Sequence, residues 1–231
     1  MLDILIKGGI IVDGTGKERY LGDIGINNDK IVKVGNINLK ANRVVDAKNL
    51  IVTPGFIDIH SHSELSILVN PFSSSKIYQG ITTEVAGNCG SSLAPVYGKA
   101  ISKIKFNLEE YGLKLTWRNI EEYFNRITKQ GLALNLISLV GHGLLRSIVI
   151  GDIKRKATDL EIKQMQILLK AALQEGAYGL STGLIYPPSS YANKYELIKL
   201  SEIVATYNGI YSTHLRDEGD NLIRAVEEAI T

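Results

Sequence analysis

Apolar positions change their spacing near Pro54. Before it they fall in short runs, residues 2–7, 10–13, 22–26, 30–35, 43–46 and 50–53. Gly8-Gly9, Asp13-Gly14 and Asn27-Asn28-Asp29 separate them. Short apolar runs divided by Gly, Asn and Asp predict strands joined by hairpin turns. Residues 1–53 are therefore expected to form a small antiparallel β unit.

After Pro54 strands alternate with helices. Buried-looking runs at 56–59, 81–86, 133–140, 178–180 and 210–213 read as strands. Between them apolar residues recur at helical spacing: Ile120, Phe124 and Ile127; Met165, Leu168 and Ala172; Leu197, Leu200, Val204 and Tyr207. Thr116 and Thr158 suit N-caps, and Thr158 with Glu161 and Asn193 with Glu196 read as capping boxes. Gly131, Gly176 and Gly209 stand where C′ glycines belong. Residues 96–115 fit no strand and read as an insertion with some helix. Regular βα units imply a parallel sheet with helices outside it, an α/β class.

Composition adds little. The 231 residues are 45% hydrophobic and 22% charged, as in ordinary globular proteins. A net charge of +2 gives no reason to expect nucleic acid or a membrane surface as partner. No apolar run is long enough to span a bilayer. The lone cysteine, Cys89, precludes an intrachain disulfide and suits a reducing cytoplasm.

The chemistry-bearing residues sit at strand ends. His60 and His62 close the first strand of the α/β part, in Pro54-Gly55-Phe56-Ile57-Asp58-Ile59-His60-Ser61-His62. Strand residues two apart share a face, so the imidazoles are expected to converge on a cation site. Cys89 follows the second strand in Gly-Asn-Cys-Gly, His142 the third in Gly-His-Gly, and Ser181-Thr182 the fourth. His214 ends the fifth, and Tyr186 opens a Tyr-Pro-Pro turn on the same rim. Cys89 and His214 suit metal ligands better than core filler. His142 reads equally as a group supporting a ligand or substrate and as a satisfied structural histidine. Strand C-terminal ends form the active face of a (β/α)8 barrel.

These stretches resemble the amidohydrolase superfamily of metal-dependent hydrolases. Most of its members carry a carboxylated lysine after the fourth strand, where this chain has Ser181-Thr182. A cysteine after the second strand is similar instead to the N-acyl-D-amino-acid deacylase branch. Gln79-Gly80-Ile81-Thr82-Thr83, Gly87-Asn88-Cys89-Gly90, Val140-Gly141-His142-Gly143, residues 179–188 and residues 213–219 carry the same likeness.

The resemblance implies zinc, held tightly by Cys89 and His214, with His60, His62 and Cys89 forming a weaker neighbouring position. It implies Tyr186 as a contact of the substrate carboxylate, His142 as a weaker substrate-side candidate, and amide hydrolysis of a small N-acyl-D-amino acid. Apolar or neutral side chains are expected, because the rim shows no evident basic cluster. Residues 1–53 become the N-terminal part of a small β-sandwich domain. Residues 54–231 become the N-terminal part of a TIM (β/α)8 barrel, with about five of its eight βα units. The general-base aspartate is expected beyond Thr231. An incomplete chain of this kind is expected to be inactive and to associate through open edges. The rival readings are a dihydropyrimidinase, dihydroorotase or isoaspartyl dipeptidase type, against which Cys89 and the missing lysine speak, or a fragment without turnover.

Overall fold

The computed structural model describes residues 1–230. The chain divides into two compact units, Met1–Gly55 and Phe56–Thr231. Among the described residues no helix is long and apolar enough to cross a membrane.

The first unit is one sheet of β1 (Leu2–Ile11), β2 (Tyr20–Asn27), β3 (Lys30–Gly35), β4 (Ala41–Asp46) and β5 (Ile51–Val52). Its order is β3-β2-β1-β4, with β5 also paired to β1. The sheet is mixed, which corrects the antiparallel expectation. β2 lies antiparallel to β1 and β3, but β4 and β5 run parallel to β1. A parallel partner arrives by a crossover and leaves no hairpin signal in the sequence. Gly8-Gly9 is likewise a bulge inside one strand and not a turn. Gly8 takes φ +72°, and the register slips between Ile6 and Gly9. The buried Asp23 carboxylate accepts the Gly8 amide at 2.8 Å and the Ile37 amide at 3.2 Å, satisfying both.

β3 is an outer strand, with Ile31, Val32 and Val34 exposed. An apolar, unpaired edge recruits further strands. The chain is therefore expected to associate as its concentration rises. Light scattering should show Val32→Lys/Val34→Lys shifted toward monomer; a wild-type chain monomeric at all concentrations would refute this.

The second unit holds β6 (Phe56–Asp58), β7 (Ile81–Ala86), β8 (Asn135–Ser138), β9 (Val140–Gly141), β10 (Gly179–Gly183) and β11 (Ile210–His214). They form two parallel sheets, β6-β7-β8 and β9-β10-β11, in chain order. The expected third strand is broken at Leu139. Its first half pairs with β7 and its second with β10, and the Leu139 amide bonds Ala86 O at 2.8 Å. β6 is an edge strand. Phe56, Ile57 and Ile59 are exposed, against the expectation of a buried run, because only β7 flanks them.

Helices α1 (Ser66–Val69) and α2 (Ser74–Ile77) follow β6, and α3 (Ala100–Glu109) occupies the segment that fitted no strand. α4 (Ile120–Gln130), α5 (His142–Val149), α6 (Asp159–Gln174), α7 (Lys194–Thr206) and α8 (Leu222–Ile230) complete the unit. Ile120, Tyr123, Leu145, Met165, Leu169 and Leu200 join Val140 and Leu180 of the strands in one core. Thr158 and Glu161 form the expected capping box. Asn119, not Thr116, caps α4, because its side chain reaches the Glu122 amide at 2.8 Å. Asn193 caps α7, but the Glu196 carboxylate turns inward to other partners instead of completing a box. Gly131 and Gly176 take positive φ as expected, whereas after α7 Asn208 adopts the left-handed conformation and Gly209 does not.

Candidate metal centre

The backbone around Cys89 is built from close approaches. Cys89 itself has φ +52°, between Gly87 and Gly90 at +82° and +75°. A side chain in the left-handed region costs about 1–3 kcal/mol and persists where the surroundings enforce it. The enforcing groups are visible. Ser181 of β10 accepts the Gly90 amide at 3.0 Å and donates to the Gly87 carbonyl, clamping both ends of the loop. Asn88 is buried and donates to Val85 O at 2.9 Å, while its Oδ1 accepts from Ser212 of β11 at 3.1 Å. Gly183 has no alternative: a Cβ there would lie 2.2 Å from the Cys89 carbonyl oxygen.

The turn after β6 brings up two imidazoles. Asp58 Oδ1 accepts the His60 amide at 3.2 Å, and Lys76 holds the Asp58 carboxylate while lying 3.0 Å from buried Glu84. The Ser61 amide bonds Val85 O at 3.0 Å and Ser63 donates to Glu84 at 2.6 Å, tying the turn to β7. The His60 and His62 rings lie edge to face at 5.4 Å. Their convergence comes from this pinned turn, since the strand already ends at Asp58.

Sequence-expected ligands meet here. One donor atom from each of His60, His62 and Cys89 lies within 4.8 Å of the others. Cys89 Sγ is 3.3 Å from His60 Nε2 and 3.6 Å from His214 Nδ1, so the thiol sits between two imidazoles. Burial pushes the Cys89 thiol up, and the Glu64 and Glu218 carboxylates add to this. A metal ion beside the sulfur would offset such surroundings. His214 Nε2 is buried without a hydrogen bond, 3.3 Å from Glu218 Oε1. The Tyr186 ring packs against His214 edge to face at 4.9 Å. A thiolate with imidazoles is a donor set for a borderline-soft ion, and these residues fit zinc.

Beside the cluster lies a cavity of about 390 Å³ reached by His62, Cys89 and Tyr186, with Leu93, Leu144 and Pro188 in its wall. His142 does not join the ligands. It is fully buried, with Nδ1 2.9 Å from Ser189 Oγ and Nε2 2.9 Å from Glu196 Oε1. Arg146 donates to the same carboxylate at 2.6 and 2.7 Å. His142 therefore faces a buried ion pair, and its link to the site runs through Ser189 on the cavity wall. Sequence reasoning missed Glu196 and Arg146. The available signal was an arginine in the apolar run Gly-Leu-Leu-Arg. It also missed Ser181 as the clamp of the cysteine loop, a role that only strand order reveals.

Residues 43–208 match the family described as amidohydrolase family. The D-aminoacylase of Alcaligenes xylosoxydans xylosoxydans is 37% identical over 98% of this chain and 47% of that protein. N-acyl-D-aspartate deacylase from the same organism is 40% identical over 99% of this chain and 46% of that protein. The crystal structure of N-acyl-D-glutamate deacylase from Bordetella bronchiseptica, complexed with zinc and a phosphonate inhibitor that mimics the tetrahedral intermediate, superposes with a TM-score of 0.87. It is 36% identical, covering 99% of this chain and 48% of that one. The chain thus spans about half the length of the relatives it matches.

Proposed function

This chain belongs to the amidohydrolase family, and from that premise we propose that it serves zinc-dependent hydrolysis of N-acyl-D-amino acids to a carboxylate and a free D-amino acid. The activity is proposed for a protein of the relatives' length, with these residues as its N-terminal half. The parallel strands β6 to β11 are then the opening βα units of a (β/α)8 barrel, and their C-terminal ends frame the site. The observation that carries the reading is the Cys89 thiol set 3.3 Å from one imidazole and 3.6 Å from another. Ser181, which braces the cysteine loop, stands where dihydropyrimidinase-type relatives would need a lysine.

Cys89 and His214 would hold the tight zinc, and His60 and His62 with Cys89 the weaker neighbouring position. Zinc bound there lowers the pKa of a water molecule and polarises a carbonyl oxygen. The chain's own residues do the rest. Ser181 and Asn88 keep the sulfur presented. Tyr186, fixed against His214, offers its hydroxyl to the carboxylate next to the scissile amide. Leu93, Leu144 and Pro188 shed water from the cavity and strengthen its polar contacts. No Asp or Glu lines this cavity among the described residues.

Full-length, zinc-loaded protein should cleave N-acetyl-D-methionine and leave the L enantiomer intact. Equal rates, or an L preference, would overturn the proposal.

A further inference from the structure

We infer that Lys103 reads a second carboxylate on the substrate, so that the preferred substrate carries an acidic side chain. This rests on the deacylase reading above and specifies its substrate. Ala100, Lys103, Ile104 and Asn107 line the cavity that also reaches His62 and Cys89. Their spacing of three and four places them on one face of α3. Ala100 and Ile104 are buried and give that face an apolar floor, while Lys103 and Asn107 are exposed above it.

Charge sets the class of ligand. Among the described residues Lys103 is the only lysine or arginine in the lining, which contains no aspartate or glutamate. Neighbouring Lys99 is engaged, donating to Ile150 O at 3.0 Å. Lys103 has no hydrogen-bond or ion-pair partner among the described residues. An unneutralised ammonium beside an apolar floor attracts an anion.

Position decides which anion. The α-carboxylate is attached to the carbon beside the scissile nitrogen and must stay close to the metal ligands. Tyr186 is there, its ring on His214 at 4.9 Å. Lys103 bonds none of His60, His62, Cys89 or His214 and stands on a different element. With Tyr186 assigned to the α-carboxylate, Lys103 is left for a second carboxylate, which a glutamate or aspartate side chain would supply. The neutral side chains expected from sequence rested on a rim without an evident basic cluster; Lys103 is a single cation, on the segment that fitted no strand.

The test compares N-acetyl-D-glutamate with its uncharged isostere N-acetyl-D-glutamine, using full-length zinc-loaded protein. Wild type should favour the glutamate substrate at least about tenfold in kcat/KM, a factor worth ~1.4 kcal/mol. The preference should shrink as salt is added. Lys103→Met should bring the ratio near one, and Lys103→Arg should restore it. Calorimetric binding of the same pair should follow the same order. A wild type without the preference, or a Lys103→Met that lowers both substrates equally, would overturn the inference. If neither is cleaved but N-acetyl-D-methionine is, the inference fails and the deacylase reading stands; if none of the three is cleaved the deacylase reading fails, and the binding ratio still decides the role of Lys103.

Discussion

Cys89→Ala is expected to release the tightly held zinc and to lower deacylase turnover by at least about a thousandfold, since the metal supplies several kcal/mol of transition-state stabilisation. Cys89 is the shared group of the cluster, 3.3 Å from His60 Nε2 and 3.6 Å from His214 Nδ1. Removing it leaves two imidazole positions without their common partner. A second variant separates ligation from backbone strain. Cys89 adopts φ +52°, which glycine tolerates and alanine does not. Cys89→Gly should therefore be at least as stable as Cys89→Ala, yet equally poor in zinc. Metal analysis after dialysis and a thermal melt of each variant check both halves. Zinc content unchanged in either variant would remove Cys89 from the site.

Local chemistry made much of the site legible. Gly-Asn-Cys-Gly marks a loop that must bend sharply and present a sulfur, and His-x-His after a short apolar run marks two imidazoles that converge beside it. Both are written in adjacent residues. The alternation of strands and helices likewise follows from spacing and caps, and Thr158 with Glu161 behaves as read. The errors share one origin, which is information carried by distant partners. Gly8-Gly9 looks identical as a turn or a bulge until Asp23 is seen to hold the Gly8 amide. β4 and β5 look like hairpin strands until they pair parallel to β1. The third strand of the α/β part is one run in sequence, but its two halves find different neighbours. Glu196 stands at a perfect capping position, and only the fold shows that an arginine and a histidine claim its carboxylate first.

That buried carboxylate supports the largest expected loss of stability. Glu196, His142 and Arg146 are all fully buried. Arg146 Nη1 donates to both Glu196 oxygens at 2.6 and 2.7 Å, and its Nη2 donates to Arg155 O at 2.7 Å. Its Nε has no partner among the described residues, and among them Glu196 is the sole counter-charge it bonds. Glu196→Gln keeps size and an acceptor for His142 but strands the guanidinium charge. Breaking a buried pair in this way costs about 3–5 kcal/mol, a large share of the roughly 5–15 kcal/mol that holds a folded domain together. Denaturant unfolding should show that loss. Arg146→Met/Glu196→Leu, which removes both charges, should cost less than Glu196→Gln alone. The gap also depends on pH. Burial alone would raise the Glu196 carboxyl, but the hydrogen bond and charge of His142 and of Arg146 outweigh it and hold it below its ordinary 4.5. A carboxyl depressed on folding stabilises above its unfolded value and loses that contribution as pH falls through the folded one. The difference between wild type and Glu196→Gln should therefore be full at neutral pH and narrow on acidification below about 4.5. A Glu196→Gln protein within 1 kcal/mol of wild type at neutral pH, well under the ~3 kcal/mol of a broken buried pair, would show that Arg146 finds another counter-charge.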